Sequence, residues 1–323
     1  MRNDVHFIEF AGQLFFAGRD TGSNFELWAT DGTTGGTVEV KEIYPGTQGS
    51  DIGHFAVFAG YLYFSANDSV NGIELWRSDG TTGGTALFKN IVTGGAGSHS
   101  LPKSLTAVGS QLFFTATDGT NGEELWVSDG TSIGTQMVKD IRPGSSSSAV
   151  SFPRFKAFNS LLLFLANDGV NGDEPWVSDG TAGGTMLLKD INPGSNFSNA
   201  QLDTAVELNG YLYFFATSSG QLELWRTDAT PGGTEKVFEM NTAYLSELIV
   251  INNEIYFSAA TETTGRELYK SDGTTEGTIL IRDFNFGANE GAPANFWYSN
   301  TLNKFFFFVD DGQHQREPWS IKF

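Results

Sequence analysis

The sequence predicts an all-β protein, a seven-bladed β-propeller of four-stranded antiparallel blades. Three observations lead there. The triplet Glu-Leu-Trp, or a close variant, begins at Glu26, Glu74, Glu124, Glu174, Glu223, Glu267 and Glu317, at intervals of 48, 50, 50, 49, 44 and 50 residues. The 323 residues include 39 glycines and 14% aromatic side chains, the mixture of tight turns and bulky strand formers that sheets require. No segment shows helical periodicity. A repeat of this length, built from short strands and glycine turns, marks a propeller or a solenoid. Units this small cannot bury a core alone, so the expectation is one domain spanning 1–323, with blades at about 1–46, 47–95, 96–145, 146–195, 196–240, 241–287 and 288–323.

The second unit shows the elements in order. Phe55-Ala-Val-Phe-Ala, closed by Gly60, is strand a. Tyr61-Leu-Tyr-Phe-Ser-Ala is strand b, apolar or aromatic at both alternating sets of positions, as in a strand covered on both faces. Asn67-Asp-Ser-Val-Asn-Gly72 consists of residues that tolerate left-handed backbone and is read as a turn. Ile73-Glu-Leu-Trp-Arg-Ser is strand c, Asp79-Gly80 opens the next turn, and Thr85-Ala-Leu-Phe-Lys-Asn-Ile91 is strand d.

Counting outward from the c–d turn sets Glu74 opposite Lys89. The same offset gives Glu26–Lys41, Glu124–Lys139, Glu174–Lys189 and Glu267–Arg282, while the fifth unit sets Phe238 against Glu223. Opposite charges facing across a hairpin support a register, so these are expected to be structural cross-strand pairs. The competing reading is a ring of carboxylates that binds something. The last unit stops at Phe323 after Glu317-Pro-Trp-Ser-Ile-Lys, before any strand d. The seventh blade is therefore either incomplete or closed by the N-terminal residues, and an open edge there could draw in another chain.

Composition removes several classes of function. The net charge of −19 repels phosphate backbones and anionic bilayers, which argues against nucleic acid and membrane-surface partners. It attracts cations, although acidity is also a common route to solubility. There is no cysteine, hence no disulfide framework and no thiolate metal site. No apolar run is long enough to span a bilayer as a helix. The opening Met-Arg-Asn-Asp-Val-His-Phe lacks an apolar h-region, which leaves two readings: a processed piece or fragment of an exported protein, or a chain that is not exported.

Glu74-Leu-Trp-Arg-Ser-Asp-Gly-Thr81 and Glu124-Leu-Trp-Val-Ser-Asp-Gly-Thr131, with Val-Lys-Asp-Ile-Arg-Pro-Gly144 and Leu-Lys-Asp-Ile-Asn-Pro-Gly194 downstream, resemble the bacterial ELWxxDGT repeat family. The resemblance covers nearly the whole chain. It implies a large, exported or surface-associated bacterial protein and carries no mechanism. Unit five departs from the pattern with Asp228-Ala-Thr, and unit six has Tyr269 in place of Trp.

Loops on a rigid scaffold are where sites are carried. Alternating strand direction places the d–a and b–c loops on one face, and the d–a loops vary most between units. The residue before the first apolar side chain of strand a is His6, His54, Ser104, Arg154, Thr204, Glu247 and then Trp297 or Tyr298, where the repeat alignment slips. With strand a innermost, these seven would ring a channel mouth suited to polar ligands such as sugars. The Asp-x-x-Asn-Gly loops at Asp68, Asp118 and Asp168 offer oxygen ligands for Ca²⁺ and are equally ordinary turn formers. No other cofactor is indicated. There is no G-x-S-x-G, H-E-x-x-H, P-loop or dinucleotide fingerprint, and the four histidines are scattered.

The expectation is a non-enzymatic interaction or structural module of a secreted or cell-surface assembly, with protein or glycan partners and self-association through an open last blade. The alternative is a carbohydrate-binding propeller using Trp297, Tyr244 and Phe197. A hydrolase or lyase acting on polysaccharide or phosphate esters stands third.

Overall fold

The computed structural model describes residues 7–19, 24–150, 154–240, 247–261, 263–287 and 289–323. Among these the strands form seven antiparallel sheets in sequence order, and the one helical element is a 3₁₀ turn, Leu202–Thr204. Sheet one holds β1 Ile8–Phe10, β2 Gln13–Gly18, β3 Glu26–Thr30 and β4 Val38–Lys41. Sheet two holds β5 Gly53–Phe58, β6 Tyr61–Asn67, β7 Ile73–Ser78 and β8 Ala86–Lys89. Sheet three holds β9 Lys103–Val108, β10 Gln111–Thr117, β11 Glu123–Ser128 and β12 Gln136–Lys139. Sheet four holds β13 Lys156–Phe158, β14 Leu161–Asn167, β15 Asp173–Ser178 and β16 Met186–Leu187. Sheet five holds β17 Val206–Leu208, β18 Tyr211–Ser218, β19 Gln221–Thr227 and β20 Glu235–Glu239. Sheet six holds β21 Ile249–Ile251, β22 Glu254–Ala259, β23 Glu267–Ser271 and β24 Ile279–Arg282. Sheet seven has three strands, β25 Ala294–Ser299, β26 Lys304–Val309 and β27 Glu317–Lys322.

The chain divides into two compact units. The first is built from 1–162, 166–169 and 178–185, the second from 163–165, 170–177 and 186–323, so the division runs through the residues of sheet four. Within the first unit the strands a of successive sheets, β1, β5, β9 and β13, are neighbours; within the second, β17, β21 and β25 are.

Strand b is apolar on both faces because each face fills a different core. In β6, Leu62, Tyr63 and Phe64 are all fully buried. Leu62 and Phe64 pack with Phe10, Phe15 and Leu27 of sheet one. Tyr63 packs with Leu112, Phe114 and Trp126 of sheet three. In the second unit, Phe215 of β18 and Phe257 of β22 share one core, and Tyr256, Phe305 and Phe307 share the next. Each such side chain contributes about 1.5–3 kcal/mol through burial.

The Asp-Gly-Thr signature is a hydrogen-bonded c–d turn. Asp79 Oδ1 accepts the Thr81 N–H (2.9 Å) and hydroxyl (2.7 Å), and Gly84 N–H donates to Thr81 Oγ1 (3.0 Å). Across the strand ends the Ser78 and Thr85 hydroxyls lie 2.7 Å apart. A Cβ on Gly84 would stand 2.0 Å from Asp79 Oδ1, which is why the turn needs glycine there. In unit five, Ala229 replaces the turn glycine yet keeps left-handed backbone, with φ 71°.

The expected glutamate–lysine pairs do not form. Lys89 stands opposite Leu75, Lys41 opposite Leu27, Lys139 opposite Leu125 and Arg282 opposite Leu268. In unit five Phe238 faces Leu224, and Glu223 faces Glu239. The cause is a bulge: Trp76 pairs with Leu87, so Phe88 is an extra residue in strand d and shifts everything beyond it by one. Lys41, Lys89 and Lys139 instead donate to the carbonyls of Thr85, Ser132 and Thr185, each at 2.9 Å.

Candidate functional site

Two sets of repeated polar residues need placing: the strand-a positions and the carboxylates. In sheets two and three strand a carries a bulge, its pairing skipping from Gly53 to Ala56 and from Lys103 to Thr106. The residue that begins each bulge, His54 (φ 57°) or Ser104 (φ 55°), takes left-handed backbone, as does Arg154 (φ 49°). These backbones are uncommon for non-glycine residues and turn the side chain away from the regular sheet. His54 is exposed, and Ser104 and Arg154 are half-buried. The three sit at the starts of neighbouring strands of the first unit.

In the second unit, Thr204 lies in the 3₁₀ turn before β17 and donates to the Gln201 carbonyl at 3.3 Å. Glu247 precedes β21, and its carboxylate accepts the N–H groups of Asn295 (3.3 Å) and Phe296 (2.7 Å). In sheet seven the equivalent bulge runs from Ala294 to Trp297, and its left-handed residue is Asn295 (φ 59°). Asn295 therefore holds the position equivalent to His54, and Trp297 lies two residues further along β25. Trp297 is 58% exposed, with its ring 5.6 Å from that of Phe306. His6 and Tyr244 lie outside the described residues.

Five of the repeated glutamates are buried carboxylates. Glu26, Glu74, Glu124, Glu174 and Glu267 are at most 1% exposed. Each accepts the N–H of the residue two beyond the last basic residue of strand d: Ile43, Ile91, Ile141, Ile191 or Phe284, at 2.7 to 3.0 Å. Several also reach the following loop. Ser100 N–H and hydroxyl donate to Glu74 (3.1 and 2.7 Å), Ser148 N–H (3.0 Å) and hydroxyl donate to Glu124, and Gly291 N–H donates to Glu267 (2.8 Å). Burial pushes all five above the ordinary carboxylate range against the pull of these bonds, Glu124 and Glu174 to about 7. In unit five Glu223 is held differently, by Lys236 Nζ and the Trp225 indole N–H, both at 2.9 Å. Glu317, the seventh equivalent, is exposed.

The loops with calcium-like composition use their oxygens internally. Asp68 Oδ1 accepts the N–H groups of Val70 (2.9 Å) and Asn71 (2.7 Å), and Oδ2 accepts Asn71 Nδ2 (2.7 Å). Asp118 does the same with Thr120 and Asn121. Burial works to raise both carboxyls, and the Asn71 and Asn121 bonds outweigh it, leaving them below the usual range. Asp168 occupies the equivalent turn between β14 and β15. The glycine that ends each loop lies under the d–a connection: a Cβ on Gly72 would meet the Ser98 carbonyl at 1.9 Å, and one on Gly172 the Asn196 carbonyl at 1.8 Å. The b–c and d–a loops thus share one face. Among the described residues no group of three or more His, Asp or Glu is arranged as metal ligands.

The buried acceptors escaped the sequence reading. Their signal was the recurrence of a serine 24 to 26 residues after four of the five glutamates (Ser50, Ser100, Ser148 and Ser198), with Gly291 in that place after Glu267. A second repeated feature follows strand d: the Oδ1 atoms of Asp140, Asp190 and Asp283 are buried without a hydrogen bond. In sheet two the Oδ1 of Asn90, at the same position, is buried in the same way, and its amide donates to Asn71 Oδ1 at 3.0 Å.

Neither a protein-family model nor a curated sequence matches the chain. Among solved structures, a puromycin hydrolase aligns at 14% identity and a TM-score of 0.46, over 93% of this chain and 48% of its own. A puromycin-hydrolyzing peptidase of Mycobacterium tuberculosis gives 13% identity and 0.46 over 94% and 50%, and TolB from Acinetobacter baumannii gives 13% and 0.38 over 85% and 65%. The chain spans about half the length of the two hydrolases. Likeness at this level assigns no activity, and function is argued from the chain's own residues.

Proposed function

We propose that the seven sheets are the blades of a β-propeller and that the chain is a non-enzymatic interaction module of a secreted or cell-surface assembly. One observation carries the reading. The carboxylates with raised pKa, ordinarily a marker of an active site, recur at five equivalent positions and are each occupied by backbone N–H groups of their own sheet and loop. Repetition with the same partners is the pattern of a structural device. Surface placement rests on the resemblance to the ELWxxDGT repeats. Antibody labelling of intact cells that produce the natural protein tests it, and signal that appears only after permeabilisation overturns the placement. Turnover of peptide, glycan or phosphoester substrates that a single substitution abolishes without unfolding the chain overturns the non-enzymatic assignment.

The exposed Trp297 indole over Phe306 favours a second reading, glycan binding, because sugar rings stack on flat aromatic faces. A glycan array comparing the chain with Trp297→Ala tests it, and unchanged binding removes Trp297 from that role.

A further inference from the structure

Asn-Gly pairs occur in the chain at Asn71, Asn121, Asn171 and Asn209. We propose that Asn209 is a site of spontaneous covalent modification, deamidation through a cyclic imide to aspartate and isoaspartate, and that the fold protects the other three. The reaction needs water alone. The Gly210 backbone nitrogen attacks Asn209 Cγ and forms a new C–N bond, giving up its proton to solvent. The Cγ–Nδ2 bond breaks, and Nδ2 takes a proton from solvent and leaves as ammonia. Water then opens the five-membered imide. Addition at Cγ yields an aspartate in a normal backbone, and addition at the main-chain carbonyl yields isoaspartate, with the chain routed through the side chain. Either product exchanges a neutral amide for a carboxylate.

Ring closure requires a side-chain amide free to turn and a following peptide that can rotate until its nitrogen reaches Cγ. Glycine favours it, having no side chain beside the attacking nitrogen and a wide choice of backbone angles. Asn209 meets both requirements. Asn209 and Gly210 are the central residues of the hairpin turn between β17 and β18, with φ of 51° and 81°, and Leu208 pairs with Tyr211 across it. Both are exposed. Among the described residues neither the Asn209 side chain nor the Gly210 N–H makes a hydrogen bond, and a Cβ on Gly210 would meet nothing within 4 Å.

The other three pairs are held in place. Asn71 donates its amide to Asp68 Oδ2 at 2.7 Å and accepts the Asn90 amide at 3.0 Å. Asn121 donates to Asp118 Oδ2 at 2.7 Å. A Cβ on Gly72, Gly122 or Gly172 would come within 1.9, 2.6 and 1.8 Å of the carbonyl oxygens of Ser98, Ser146 and Asn196, so the d–a loops leave those peptides no room to swing. Sheets four and six add a second contrast. Their a–b turns, Asn159-Ser160 and Asn252-Asn253, are also exposed and left-handed, but a side chain there crowds the attacking nitrogen. In sheet five, isoaspartate lengthens the backbone between the buried Leu208 and Tyr211, at the end of the sheet opposite its b–c and d–a loops.

The test is peptide mapping by mass spectrometry of the whole chain, incubated at mildly alkaline pH both folded and in urea. Isoaspartate is counted by methyl transfer from S-adenosylmethionine with a protein-isoaspartate methyltransferase. In the folded chain Asn209 should convert about tenfold faster than Asn71, Asn121 or Asn171, with isoaspartate among its products. In urea the four rates should converge. Gly210→Ser, which copies the turn of sheet four, should slow the conversion of Asn209 about tenfold. Equal rates at the four sites in the folded chain, an Asn209 that stays intact, or conversion to aspartate without isoaspartate overturns the proposal. So does a Gly210→Ser chain that converts as fast as its parent.

Discussion

Ile43 donates its backbone N–H to Glu26 Oε2 over 2.8 Å, from the end of one strand to the start of its neighbour seventeen residues earlier. The same bond joins Ile91 to Glu74, Ile141 to Glu124, Ile191 to Glu174 and Phe284 to Glu267. Where a serine or glycine of the following loop also donates, the glutamate ties the exit of strand d to the approach of the next strand a.

Removing one of these glutamates should cost more than removing an ordinary hydrogen bond, because buried donors are left without an acceptor. Glu124→Ala strands the Ile141 and Ser148 N–H groups and the Ser148 hydroxyl. It should lower stability by on the order of 3 kcal/mol, and Glu124→Gln, which keeps one acceptor oxygen, by about 1 kcal/mol. Urea unfolding of the two variants beside the parent chain measures the difference. Equal costs would show that the acceptor geometry is immaterial.

The same carboxyls fix a pH dependence. Burial raises Glu124 and Glu174 to about 7 in the folded chain, from an ordinary value of 4.5. The folded state therefore holds more protons between those values, and stability falls as pH rises through about 7. In the other direction, the Thr81 hydroxyl and N–H hold Asp79 below its ordinary value, and its equivalents Asp31, Asp129, Asp179 and Asp272 are held low in the same way. Their contribution is present above about pH 4 and is lost as pH falls through their lowered folded values. Melting temperature should thus peak between about pH 4 and 5, decline as pH rises to about 7, and level off above that. The decline should be smaller in the double variant Glu124→Gln/Glu174→Gln. Scanning calorimetry across that range decides it.

Asp79 and Gly84 should behave as a coupled pair. The Cβ of Gly84→Ala would enter the space of the Asp79 carboxylate and break its bonds to Thr81, at a cost of about 1–3 kcal/mol. Asp79→Ala alone loses the same bonds. The double variant should therefore be less destabilised than the sum of the two by about 1 kcal/mol, a coupling that a double-mutant cycle in urea reads directly.

Ala229 offers the opposite sign. It holds a left-handed backbone where units one to four and unit six have glycine. Ala229→Gly should relieve about 1 kcal/mol of backbone strain, offset in part by the added freedom of the unfolded chain and the lost methyl contact. A net gain of about 0.5 kcal/mol in urea unfolding is the expected outcome, and a loss would mean that the buried methyl outweighs the strain.

Strand order and turn chemistry were legible in the sequence because both are local. Asp-Gly-Thr, Asn-Gly and the doubly apolar strand b each state their conformation within a few residues. The glutamate partners were not legible. A lysine fifteen residues away offered a plausible charge pair, and only the extra residue in strand d, such as Phe88, shows that the count slips by one. The strand-a residue of sheet seven was misplaced for a related reason. The apolar run Phe296-Trp-Tyr hides the bulge, although Asn295, a residue tolerant of left-handed backbone, marks it.

The placement of Gly72 beneath the Ser98 carbonyl, and of Gly172 beneath that of Asn196, has an evolutionary consequence. In units two, three, four and six the d–a loop lies against a glycine two residues before the glutamate of its own repeat, so a change in one loop is absorbed where it occurs. Such insulation lets a loop change within one repeat while the strands beneath it and the loops of the other repeats stay as they are.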